Sequence, residues 1–136
     1  MKTKTKGRLP AFTLTELLVV LVIIGILMLI ALPNLMPLIS KTHSLEAQQG
    51  LTAIQKLQKS YHQMHVKYTD DLLELGFEQE RTVEEGGKAK YRIDIVKAST
   101  AGFIAKATAI VDFDQDGQFN EWEITEEGVL RELVKD

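Results

Sequence analysis

Hydrophobic positions are distributed very unevenly along the chain. Residues 17 to 32 carry no charged side chain. With Phe12 to Thr15 ahead of them the apolar run reaches roughly twenty residues, about 30 Å as a helix and enough to cross a bilayer. Pro33 and Pro37 follow; each removes a backbone donor and crowds the preceding turn, so a kink or a melted stretch is expected near residues 32–37. Further on, Leu51, Ile54, Leu57, Tyr61, Met64 and Tyr68 recur at spacings of three and four, the mark of one apolar helix face. A second helical stretch over about 38–68 is predicted, continuing the first, with Lys41, Glu46, Gln48, Gln55, Lys59 and Gln63 on its polar side.

The period then changes. Asp70 to Gly76 reads as a turn, a short helical segment and a glycine stop, and Gly86-Gly87 as a loop or hairpin link. Residues 89–97 alternate Tyr91, Ile93 and Ile95 with Lys90, Arg92 and Asp94, the pattern of a half-buried strand. Residues 102–111, 121–125 and 129–134 give three more strands, the last two joined by Glu126-Glu127-Gly128. The expected class is α+β: a long N-terminal helix, transmembrane in its first half, packed against a small antiparallel sheet. Three segments follow: a basic leader 1–11, an apolar helix 12–37 and an exported head 38–136.

Charge sharpens this division. Lys2, Lys4, Lys6 and Arg8 precede the apolar run with no acid among them, and such a segment stays cytoplasmic. The remainder keeps twelve basic residues against nineteen acids, which disfavours a nucleic-acid partner. A secretory signal has a shorter core and a small-x-small cleavage site, whereas here Leu-Pro-Asn-Leu ends the run. There is no cysteine, so no disulfide fastens the C-terminal end. His62 and His65 stand three apart, a spacing metals use, but no acid on the same face completes a site. No Ser-His-Asp, Cys-His or phosphate-loop arrangement occurs, and no enzyme is expected.

The string AFTLTELLVVLVIIGILMLIALP resembles the N-terminus of type IV pilins and of the pseudopilins of type II secretion. In that family a basic leader is cut just before a Phe, the new N-terminus is methylated, a Glu follows four places on, and a Pro ends the apolar run. The matching residues are Ala11, Phe12, Glu16 and Pro33. Where the family usually has Gly before the cut, this chain has Ala11. The resemblance covers residues 1–40 in detail. It implies a pilin-like fold and a structural subunit of a type IV pilus-like filament, cleaved and N-methylated by a prepilin peptidase and assembled through its N-terminal helix. The implied partners are that peptidase, an inner-membrane assembly platform, the bilayer before assembly, and further subunits of a homo- or hetero-filament. The implied location is a bacterial inner membrane, single-pass with the N-terminus in the cytoplasm, and then a periplasmic or cell-surface filament.

Glu16 can be weighed without the family. A carboxylate within the bilayer costs roughly 2.5–3.5 kcal/mol on insertion scales. One reading is that Glu16 lies near the interface and reaches headgroup water. The sharper one is that cleavage after Ala11 creates a positive amine at Phe12, and that a neighbour's amine is the partner of Glu16. Such a pair is satisfied at one axial offset, so it sets register, while the apolar run supplies adhesion and Pro33 lets the helix stretch. Repeated head-to-tail contacts do not close, and they give a filament.

A second motif lies near the other end. DFDQDGQFNEWE, residues 112–123, places Asp112, Asp114, Asp116, Gln118, Asn120 and Glu123 at the ligand places of a calcium loop, with Gly117 at its sharp turn. A structural Ca2+ clipping the head is one reading; an acidic, solvated turn is the other. The context is strand to strand, and alternation turns Trp122 and Ile124 inward and Glu123 away. Two rivals to the pilus subunit therefore stand: a type II secretion pseudopilin forming a periplasmic pseudopilus, and a single-span membrane-anchored calcium-binding protein that does not polymerise.

Overall fold

The computed structural model describes residues 10–136; the basic leader residues Lys2, Lys4, Lys6 and Arg8 lie outside that range. Helix α1 spans Leu14–His65. After it come a 3-10 turn at Val83–Glu85 and four strands: β1 (Tyr91–Ala98), β2 (Phe103–Ala109), β3 (Glu121–Thr125) and β4 (Leu130–Val134). The strands form one antiparallel sheet in the order β1-β2-β3-β4. The chain divides between Leu35 and Met36 into two compact units.

In the first unit α1 is apolar all round and uncovered: Leu17, Val20, Ile24, Leu29 and Leu32 are all about half exposed or more. Its length and composition suffice to cross a membrane. The helix runs unbroken through Pro33 and Pro37, so the melted stretch expected at residues 32–37 is not present. Each proline deletes one backbone donor without interrupting the helix.

In the second unit the helix buries Ala47, Leu51, Ile54 and Tyr61 at the spacing that one face of a helix requires. They meet Tyr91 and Ile93 of β1, Phe103, Ala105, Ala107 and Ala109 of β2, and Ile124 of β3. The inward residues of β2 are mostly alanine, so the helix can lie close over the middle of the sheet. Gly50 serves the same approach, since a Cβ there would run into the Ile93 side chain. Fully burying side chains such as Phe103, Leu51, Ile54 and Ile124 contributes about 1.5–3 kcal/mol each.

A bulge between Ile95 and Lys97 leaves Val96 exposed and brings Ala98 opposite Phe103. On the outer face Asp94, Lys106, Glu123 and Arg131 stand in register across all four strands, a row of alternating charge suited to water. The helix stops at His65, three residues short of the predicted end, and Met64 is exposed. Val66 takes a left-handed conformation with φ 57°. Residues 72–76 form turns and no helix, closed by the Leu73 N–H on Asp71 Oδ1 at 2.8 Å and by Gly76 at φ 72°. The buried Gln58 fixes this connection, donating to the Thr69 carbonyl at 2.5 Å and accepting its N–H at 3.2 Å.

Candidate functional site

At the start of α1 the sequence T-L-T-E makes a reciprocal cap. Thr13 Oγ1 accepts the Glu16 N–H at 3.2 Å. Glu16 Oε2 in turn accepts the Thr13 N–H at 3.2 Å and its hydroxyl at 3.3 Å. Two backbone donors that a helix start leaves orphaned are thereby satisfied, and the carboxylate sits at the positive end of the helix dipole. Ala11 and Phe12 lie just outside the helix and are exposed. The Ala11–Phe12 bond is therefore free of helical hydrogen bonding and open to another molecule. Pro33 is exposed within α1. Glu16 thus has a local task, which the sequence signature of a capping box could have revealed.

The acidic loop joins β2 to β3. Asp112, Asp114 and Asp116 bring one carboxylate oxygen each within 4.8 Å of the others. Each also holds the loop's own backbone. Asp112 accepts the N–H groups of Gln115 and Gly117 at 2.7 and 2.8 Å, Asp114 that of Asp116 at 3.0 Å, and Asp116 that of Gln118 at 2.7 Å. Gly117, at φ 88°, takes the turn that a side chain would resist. Asp136 joins from outside the motif, accepting the N–H groups of Phe113 at 3.0 Å and Asp114 at 3.1 Å, while Ser40 donates to its main-chain oxygen. Loss of solvent raises the Asp114 carboxyl above its ordinary value, and the charges of Asp116 and Asp136 add to the effect.

The remaining calcium-pattern residues go elsewhere. Gln118 follows in the exposed loop. Asn120 is wholly buried, its side chain hydrogen-bonded to Tyr91, Glu132 and Val134. Glu123 lies on β3 opposite Lys106 and Arg131, outside the aspartate group. The oxygen donors of Asp112, Asp114 and Asp116 suit a hard cation, but no bidentate glutamate closes the ring.

Phe113 anchors the loop to the head. His43 of α1 stacks on its ring with centroids 4.6 Å apart, and Lys90 Nζ lies 2.9 Å from His43 Nε2 and 5.9 Å from the Phe113 centroid. Burial lowers the His43 pKa, the Lys90 charge lowers it further, and Glu46 opposes them. His62 stacks on Tyr68 and His65 packs at a tilt on Tyr61, so the two are held by different rings. Periodicity placed His43 on neither face, so its role was not visible in sequence.

No protein-family model matches the chain. Over 82 residues it is 39% identical to the type IV major pilin protein PilA of Myxococcus xanthus strain DK1622, covering 60% of this chain. The aligned part is 36% of that protein, so the chain spans about a third of the length of the relative it matches.

Proposed function

We propose that this chain is a structural subunit of a type IV pilus-like filament, held in a bacterial inner membrane until it is assembled. The observation that carries the reading is the uncovered apolar helix: from Leu14 to Leu32 its large apolar side chains are open. Such a surface requires lipid or other copies of itself. Similarity to a type IV major pilin favours both, in succession.

In this reading a prepilin peptidase hydrolyses the Ala11–Phe12 bond, the Phe12 amine is methylated, and the amine meets Glu16 of a neighbouring subunit. The Thr13 cap holds the Glu16 carboxylate meanwhile and offsets part of its cost in lipid. Asp112, Asp114 and Asp116 are the residues that would hold Ca2+, which would neutralise their mutual repulsion in the loop. A calorimetric titration of the full chain in detergent checks this: Asp114→Asn should abolish any heat that the parent shows, and a heatless parent removes the ion from the picture.

The decisive experiment for the subunit itself is mass spectrometry of the chain from membranes and from sheared filaments. A chain beginning at N-methyl-Phe12 in the filament fraction is expected. An intact Met1, with the protein confined to membranes, would leave only an anchor.

A further inference from the structure

Asn120 occupies a ligand place of the acidic pattern, yet its side chain is wholly buried among the strands. Its Oδ1 accepts the Tyr91 hydroxyl at 2.8 Å. Its Nδ2 donates twice, to Glu132 Oε1 at 2.8 Å and to the Val134 carbonyl at 2.9 Å, and its own carbonyl accepts the Ala109 N–H at 2.8 Å. One residue therefore ties β1, β2 and β4 from the entrance to β3. Two acceptors on one side and one hydroxyl donor on the other also fix which way the amide is turned. Burial pushes the Tyr91 phenol up to about 12, so it remains a donor across the physiological range.

The need for such a tie is plain from the surroundings. β4 pairs only with β3 and none of its five side chains is buried, so it brings little apolar area to its own attachment. No cysteine exists to fasten it. We propose that Asn120 is the clip that holds β4 and the C-terminal end of the head in place, and that the clip works without a bound ion. The four hydrogen bonds described for the residue all stay inside the protein, and its side-chain oxygen is turned to Tyr91. A buried amide that holds three partners at once is worth more than its parts, because breaking one strands the others. This assignment holds whether or not the chain polymerises.

The test is thermal unfolding of the full chain in detergent, followed through the single tryptophan, Trp122 on β3. Asn120→Asp sets a carboxylate against Glu132 and the Val134 carbonyl, and the midpoint should fall on the order of 10 °C, the consequence of stranding buried polar groups in a head of this size. Adding Glu132→Gln to that variant restores a donor opposite the new acceptor and should recover a substantial part of the loss. A merely space-filling asparagine would show no such rescue. Should Asn120→Asp fail to fold, Tyr91→Phe removes one bond alone and should give a smaller fall, with faster hydrogen exchange in β4. A chelator should leave the difference in midpoint between the parent and Asn120→Asp unchanged. Variants that melt with the parent, or a chelator that erases the difference between parent and Asn120→Asp, would overturn the assignment.

Discussion

Val66 is a β-branched residue at the place after a helix where glycine is the ordinary choice. Its N–H closes on the His62 carbonyl at 2.8 Å, and its φ of 57° sets Cβ against the following carbonyl, a strain of about 1–2 kcal/mol. The side chain is exposed and returns little burial. Val66→Gly should therefore stabilise the head by about 1 kcal/mol, read as a higher denaturant midpoint with an unchanged slope. Thr13 carries the opposite prediction. Thr13→Ala takes away the hydroxyl that accepts the Glu16 N–H and should cost about 1 kcal/mol at the helix start. Hydrogen exchange in bicelles should then quicken at residues 14–17 and nowhere else.

At the scale of elements, the fit of α1 on the sheet depends on small residues. Gly50→Ala sets a methyl against the terminal Cδ1 of the buried Ile93, so displacing that side chain should offset the helix-propensity gain of about 1 kcal/mol and leave the head no more stable, whereas Gly25, with open space around it, should accept alanine with that gain. The contact of α1 with the acidic loop is pH-dependent through His43. Its folded pKa is lowered, so as pH falls below the ordinary histidine value of about 6.5 the unfolded chain takes up the proton first. Stability present above that value is lost on the way down to the folded pKa. Thermal midpoints should decline from about pH 7 to pH 5, and His43→Gln should flatten that part of the profile. A parent whose midpoint stays level there would count against the stacked, neutral His43.

For the molecule as a whole, the exposed half of α1 is where filament and membrane compete for the same side chains. Glu16→Leu should insert into membranes at least as well as the parent, since it removes a charge that costs roughly 2.5–3.5 kcal/mol in lipid. It should nevertheless reduce filament yield at least tenfold, measured by shearing and immunoblot; undiminished yield would remove the amine pairing from the account. Much of this architecture was legible in the chain. Leu51, Ile54 and Tyr61 announced the helix face, Tyr91 and Ile93 the first strand, and residues 17 to 32 the lipid-length run, because periodicity is a local property that each residue displays by itself. The opening motif was equally local, and the structure adds that its carboxylate caps the helix on Thr13. The acidic loop was different. Its spacing assigned Asn120 and Glu123 to a cation, while the folded chain turns the one into the core and sets the other on a strand. Spacing determines which residues can meet; the partners that Tyr91, Glu132 and Val134 offer across the sheet decided where Asn120 went, because a buried amide is held by whatever satisfies all of its bonds at once.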